Sequence, residues 1–379
     1  MRMNILLLTE DFHPNIDGGS LVRSRFTELI TDRPHELTVV TGRPDGRPVQ
    51  DEYCGTEVLR PIDPTPDDVQ GYEFAGFLYK ILFSLSVFVV GFYLLWTREI
   101  DAMYSKSYST HWAAKILSLL FGVPLLTFIG GTPSLGRYRS SRLKLIPEFI
   151  NMRCCMGDSV FVRTQQTARR VSRISGKPTE VLHGVLNTKD LRSAVKDCNP
   201  AAVRAEYDVE ESEQLIIFIG RLVPLKDPET AVNVLSELPP KYKLVIIGDG
   251  PEYDALQAQI TEAGVNDRVH MTGQLSHQSA LKLAYSADLQ LVTSKIEAYP
   301  SVVFEGLATN NEVFTTDVGV VSDIEESSLH VTDDFVKSIR ATETKGTQKI
   351  DDRILERYSI ERYTTDSLRT LEQLAWASQ

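Results

Sequence analysis

Residues 287–310 read ADLQLVTSKIEAYPSVVFEGLATN. Ala287 to Ser294 is a short apolar run of strand length, and VVFEGLA after it has the look of a helix. A strand, a short loop and a helix start, in that order, are one step of an α/β fold. They also make a place for an anion. Backbone N–H groups near Ser301 to Val303 would point at a phosphate, and the helix dipole favours one there. Two carboxylates, Glu297 and Glu305, stand with seven residues between them, Pro300 and Ser301 among these. Glu305 follows Ser301 by one helical turn, so both can face one cleft. A carboxylate repels phosphate but accepts hydrogen bonds from sugar or ribose hydroxyls. The pattern therefore implies a ligand both polyhydroxylated and phosphorylated, such as a nucleotide sugar. The competing reading is a solvated helix start with two unrelated acids.

The same rhythm runs through the second half of the chain. QLIIFIGRL reads as a strand and PETAVNVLSEL as a helix, and KLVIIGDGP and EYDALQAQITEAG repeat the pair. RVHMTGQL, SALKLAYSA, DLQLVTS and SVVFEGLAT carry it on. Strands that are apolar throughout imply a parallel sheet covered on both faces. The first half alternates likewise. NILLLTE (Asn4 to Glu10) and ELTVVTG (Glu36 to Gly42) read as strands, with a helix from about Leu21 to Ile30 between them. IDAMYSKS, VPLLTFIGG (Val123 to Gly131), SVFVRT and TEVLHGV are further strands. Asp190 to Glu213 is polar and breaks the alternation, so the hinge is expected there. The 379 residues accommodate two domains: 1–192 and 193–379, with a last helix at about 356–379 that packs back on the first. Ligands of open α/β sheets bind beyond the carboxyl ends of the strands.

Two cations lie at such an end. FIGRLVPLKD places Arg221 and Lys226 just after a strand of the second half. There they can neutralise a pyrophosphate and stabilise a leaving nucleoside diphosphate. Gly18 and Gly19, in PNIDGGS, fall between the first strand and first helix, where glycine lets backbone approach a ligand. In IGDGPEYDAL, Gly248 and Gly250 shape a turn and Pro251 starts a helix.

In this order the motifs resemble those of retaining glycosyltransferases with the GT-B fold, in particular glycosyltransferase family 4, and the likeness covers nearly the whole chain. It implies two facing Rossmann-like, doubly wound parallel-sheet domains, with the site in the cleft between them. It implies that Arg221 and Lys226 contact the donor diphosphate, and that Glu305 holds the ribose while Glu297 sits nearer the transferred sugar. The loop Ala298, Tyr299, Pro300 and Ser301 would offer backbone groups to sugar and phosphate. Gln274 and Leu275 would meet the base, and Gly18 and Gly19 the donor phosphates or the acceptor. Catalysis would rest on Arg221, Lys226 and Glu297, with no metal and no resident cofactor, the nucleoside diphosphate sugar being a co-substrate. The chain departs from the family pattern at Ile129, where a histidine is common, and at Val320 and Asp323, where a glycine and a glutamate are usual. His183 stands where the family commonly has Asn.

Charge and hydropathy bear on the acceptor. The net charge of -11 is uneven: residues 1–190 hold 22 Lys and Arg against 20 acids, and residues 191–379 hold 18 against 31. Between Met103 and Thr179 there are 12 basic residues and two acids, Glu148 and Asp158. A basic patch on an acidic protein meets anions, here an anionic membrane surface rather than nucleic acid. Phe74 to Trp96 is an apolar run with one charge, Lys80, long enough to span a bilayer. Strands on either side of it should share a sheet, which argues against a crossing. A buried helix, an interfacial helix and a re-entrant hairpin remain open. On the interfacial reading, Phe83, Phe88, Phe92 and Trp96 enter the lipid beside Arg137, Arg139, Arg142 and Lys144. The four cysteines include no C-x2-C pair, which fits a reducing cytoplasm, and the short apolar start is not a signal peptide.

The expected activity is hexose transfer from a UDP- or GDP-linked sugar to a lipid-linked or glycan acceptor, at the inner face of the cell membrane. Transfer to a soluble sugar or sugar phosphate, and a non-catalytic nucleotide- or glycan-binding role, are the alternatives.

Overall fold

The computed structural model describes residues 2–14, 18–44, 46–62, 73–130, 142–297, 299–309, 311–342 and 349–378, and the backbone alone at 18–21, 73–77 and 142–145. Arg137, Arg139 and Ala298 lie outside the described residues. The chain forms two units, 1–184 with 360–379, and 185–359.

The first unit holds an eight-stranded sheet. Its strands are β1 (Asn4–Leu8), β2 (Glu36–Val40), β3 (Gln50–Tyr53), β4 (Thr56–Leu59), β5 (Ala102–Ser105), β6 (Leu125–Ile129), β7 (Ser159–Val162) and β8 (Thr179–Val181). The order is β3-β4-β2-β1-β5-β6-β7-β8. Every pair is parallel except the β3–β4 hairpin. Helix α1 (Gly18–Thr31) therefore begins at the two glycines expected in a loop. It shares one sheet face with the last helix, α14 (Ile360–Ala377). Phe26 of α1 meets Tyr104 of β5 and Tyr363 of α14 edge-on at 5.7 and 5.9 Å, and the two tyrosine hydroxyls are 2.7 Å apart. Lys106 is buried in this aromatic box, its ammonium 4.0 Å from the Phe26 ring centre. Burial there holds its pKa well below the usual lysine range.

Helices α2 (Glu73–Thr97) and α3 (Tyr108–Phe121) cover the other sheet face. Phe83, Val87 and Leu94 of α2 pack with Leu117 of α3 on Leu6, Leu8, Met103 and Leu125 of the sheet. Gly91 allows this approach: a Cβ there would lie 2.6 Å from Leu117 Cδ1. The apolar run is one continuous helix, not a re-entrant hairpin, and a strand before it in the chain pairs with the strand after it, β1 with β5, Ile5 opposite Ala102. Phe83, expected on the lipid side, is instead fully buried in this core, because it lies on the helix face turned to the sheet. Phe88 is partly buried, stacked 6.4 Å from Trp112, whereas Phe92 and Trp96 are exposed. Helix α4 (Arg142–Cys154) is anchored to α3 by buried His111, whose Nδ1 lies 3.0 Å from Asn151 Oδ1. Arg142 and Lys144 open that helix, and α5 (Gln165–Ser175) follows β7.

The second unit begins at Val185, before the expected hinge. Val185 and Leu186 both donate backbone hydrogen bonds to Tyr358 O, at 2.9 and 3.0 Å. The polar stretch 190–213 is not a linker. It builds α6 (Thr188–Lys196) and α7 (Pro200–Ala205), each capped by an asparagine, Asn187 or Asn199. Leu191 and Ala194 are buried, and Arg204, also buried, pairs with Asp288 at 2.8 Å.

Six strands form the second sheet: β9 (Gln214–Ile219), β10 (Tyr242–Ile247), β11 (Val269–Gly273), β12 (Leu289–Val292), β13 (Glu312–Thr315) and β14 (Leu329–Val331). The order is β11-β10-β9-β12-β13-β14, parallel throughout. Side chains alternate across it. Ile216 and Phe218 pack under α8 (Pro228–Glu237) and α9 (Tyr253–Glu262), while Leu215 and Ile217 face α10 (His277–Ser286). Helices α11 (Ser301–Ala308), α12 (Phe335–Ala341) and α13 (Asp352–Arg357) complete the unit.

Candidate active site

Because the second sheet is parallel, all its strands end on one edge, and the loops there collect the expected residues. Arg221 and Lys226 follow β9, Gln274 and Leu275 follow β11, and Glu297 follows β12. The glycines after β10 let these loops pack backbone to backbone. Gly248 has φ +148°, and a Cβ on it would stand 1.8 Å from the Gly220 carbonyl oxygen. No side chain fits there, so the loop carrying Arg221 can lie directly on the β10 end.

Thr293 fastens the β9 loop to the β12 end. Its hydroxyl donates to the carbonyls of Lys226 and Asp227, at 3.0 and 2.7 Å. Lys295 N donates to Leu225 O at 2.8 Å, and Lys295 Nζ pairs with Asp227 at 3.3 Å. With the two loops so joined, Lys226 reaches Glu297 and forms an ion pair. Ser294 Oγ donates to the same Glu297 oxygen at 3.0 Å. Arg221 is exposed at the same strand end. The cation that would face a diphosphate and the acid that would face a sugar thus hold each other.

Helix α11 is set by Gln290, buried on β12, whose amide donates to Val302 O at 2.7 Å. Gly306 permits that closeness, since a Cβ there would lie 2.5 Å from the Gln290 side-chain oxygen. Pro300 precedes the helix without a side-chain cap, so among the described residues no capping side chain takes the first-turn N–H groups at Ser301 and Val302. Tyr299 stacks on Phe304 at 4.7 Å. Glu305, one turn on, is met by His277, whose Nε2 lies 3.2 Å from Glu305 Oε1. That hydrogen bond raises the His277 pKa above its ordinary value, burial opposing and Glu305 and Asp190 adding attraction. His277 opens α10, two residues beyond Leu275 and three beyond exposed Gln274. The loop expected at the base and the acid expected at the ribose are therefore linked through one imidazole.

Sequence reading missed His277, Ser294 and Thr293. Lys226, Glu297, Glu305, Gln274, Leu275, Tyr299, Pro300 and Ser301 share this one edge of the second unit, with Arg221. Gly18 and Gly19 belong to the first unit. Among the described residues, no group of three or more His, Cys, Asp or Glu side chains is placed to hold a metal ion.

Residues 201–332 match the family model of glycosyl transferases group 1. That span takes in β9 to β14 and the residues gathered at the edge of the second sheet, but not Gly18 and Gly19. An uncharacterised glycosyltransferase of Methanocaldococcus jannaschii is 23% identical over 330 residues, which cover 85% of this chain and 82% of the relative. Among solved structures, sucrose-phosphate synthase of Thermosynechococcus elongatus superposes with TM-score 0.74 at 17% identity, covering 99% of this chain and 100% of that one. The HepE protein of Anabaena in complex with UDP gives 0.71 at 17% identity, over 98% and 100%. The fold is GT-B, two parallel-sheet α/β domains, and these findings together support a GT-B glycosyltransferase.

Proposed function

We propose that this protein is a retaining, metal-independent glycosyltransferase of family 4, transferring a hexose from a UDP- or GDP-linked sugar. The observation that carries the proposal is the convergence of Arg221, Lys226, Glu297 and Glu305 on one edge of the second sheet, beside the α11 N-terminus. A diphosphate would take the two cations and the first-turn N–H groups. Ribose hydroxyls would take Glu305, leaving Glu297 for the sugar. Nothing in this scheme asks for a resident cofactor, the donor being a co-substrate. The HepE protein has also been solved with UDP-glucose, which favours a UDP-linked donor. Arg221 and Lys226 act most strongly as the diphosphate leaves, when its charge is greatest. Retention rests on the family resemblance and accords with front-face displacement, in which the leaving phosphate helps deprotonate the acceptor hydroxyl.

We assign acceptor binding to the first unit and propose a lipid-linked or glycan acceptor at the cytoplasmic face of the cell membrane. The anionic bilayer is then a partner, met by the basic, apolar helices of that unit. A soluble sugar phosphate is the second reading, favoured by the sucrose-phosphate synthase likeness. The test incubates pure protein with UDP- and GDP-sugars, with and without extracted membrane lipid or sugar phosphates. Nucleoside diphosphate release stimulated by lipid supports the first reading, and stimulation by sugar phosphate the second. No release from any donor, with or without acceptors, would reject an enzyme.

A further inference from the structure

Helix α2 is apolar on two opposite faces, and one of them is left exposed by the described residues. Leu82, Leu85, Val89 and Trp96 are 44%, 46%, 65% and 75% exposed, at the spacing of one helical stripe. The stripe from Leu82 to Trp96 is about 21 Å long. It does not stop at α2. Phe92 packs against Phe121, their ring centres 5.1 Å apart, so the C-terminal halves of α2 and α3 lie side by side. There Leu119 and Leu120 are 72% and 60% exposed. On α4, Ile146, Phe149 and Ile150 form another exposed apolar stripe, three and four residues apart.

We propose that the exposed faces of α2, α3 and α4 make one docking surface for an anionic lipid bilayer, lying in the interface rather than crossing it. The inference rests on the membrane-acceptor reading above and deepens it, adding α3 and α4 to the contact.

Charge selects the occupant. Residues 103–179, which include α3, α4 and α5, carry 12 basic side chains and two acids, and of the 12 Lys106 and Arg163 are buried rather than on this surface. Neither acid offsets the surface. Glu148 is buried and pairs with Arg170 at 3.5 Å, and Asp158 accepts from Leu125 N at 3.0 Å and pairs with Lys177. Arg153, Arg169 and Arg173 are exposed on α4 and α5. Apolar stripes beside unmatched cations fit acyl chains beneath anionic headgroups. A second copy of this chain docked face to face would bring two such basic segments together. Spanning conflicts with the sheet, because β1 and β5, on either side of α2 in the chain, are hydrogen-bonded neighbours.

The two exposed tryptophans supply an internal control. Trp96 sits on this surface, whereas Trp376, 76% exposed, sits on α14, which packs on the opposite face of the same sheet. The experiment uses the full chain with vesicles of equimolar phosphatidylglycerol and phosphatidylcholine, and single-tryptophan variants retaining either Trp96 or Trp376. With brominated acyl chains, Trp96 fluorescence should be quenched and Trp376 fluorescence should not. Leu119→Ser with Leu120→Ser should weaken vesicle binding by about a hundredfold, from the lost burial of two large apolar side chains, with an unchanged melting temperature. Equal quenching of both tryptophans, or vesicle binding untouched by the serines, would overturn this surface while leaving a membrane partner standing. No binding of the wild type would overturn both. A lipid-free dimer that the serines dissociate would assign the surface to a second copy instead.

Discussion

Lys226 pairs with Glu297, and under the proposed function this lysine has a second task, at the leaving diphosphate. The two tasks separate in a double-mutant cycle. The Glu297 side chain is 14% exposed, and among the described residues Lys226 and Ser294 are partners of its carboxylate. Lys226→Ala strips the cation from a mostly buried carboxylate. Removing one member of a buried pair costs about 3–5 kcal/mol. The Lys226 side chain is 30% exposed, so screening brings the expected loss to about 1–2 kcal/mol. Glu297→Gln in the same chain removes the stranded charge and should restore most of that stability. The rate should not recover. A cation aimed at developing charge contributes about 10²- to 10³-fold in turnover, and the glutamine supplies none. Urea unfolding and nucleoside diphosphate release would be measured for the wild type, both single variants and the double variant. The reasoning is refuted if the double variant turns over as fast as Glu297→Gln alone, because Lys226 would then serve only to place Glu297.

Three other outcomes follow from the geometry. Gly248→Ala should be among the most damaging single substitutions, costing more than about 3 kcal/mol, since its Cβ would fall 1.8 Å from the Gly220 carbonyl; thermal melting reads this. His111 is buried with its pKa lowered to about 4, chiefly by desolvation, against hydrogen bonding to the oxygens of Asn151 and Phe128, which would raise it. The unfolded chain therefore binds the extra proton, and stability should fall as pH drops from about 6.5 toward that value, by at most about 3 kcal/mol, a slope His111→Gln should remove. His277 has the opposite sign: its raised pKa makes the pair with Glu305 stabilising below about pH 6.5 and lost as pH rises through the folded value. With its side chain 55% exposed, the effect is a fraction of a kcal/mol, and the stability gap between wild type and His277→Ala should narrow from about pH 6 to about pH 9.

The fold was legible where burial leaves a strand no polar face. QLIIFI and KLVII could only be interior strands, and their alternation with helices implied parallel sheets. The placement of the candidate residues was legible for the same reason: all strands of a parallel sheet end on one edge, so Arg221, Lys226 and Glu297 were expected on the same edge. His277 was not, because its contact with Glu305 spans 28 positions and depends on how α10 and α11 pack. Helix α2 defeated periodicity. Apolar on all sides, it offers no pattern by which Phe83 could be told from Phe92, and only the sheet beneath it decides. The polar stretch after Asp190 looked like a linker because short helices with asparagine caps and charged outer faces share a linker's composition.

The central claim is that the carboxyl edge of the second sheet binds a nucleoside diphosphate through Arg221 and its ribose through Glu305. Calorimetric titration of UDP, and separately GDP, into wild type, Arg221→Ala and Glu305→Ala tests it most directly. One of the nucleotides should bind the wild type. Glu305→Ala should lose about 1.5–3 kcal/mol of that affinity, Arg221→Ala should also bind more weakly, and both should melt with the wild type. Unchanged affinity in both variants, or no nucleotide binding by the wild type, would contradict the account.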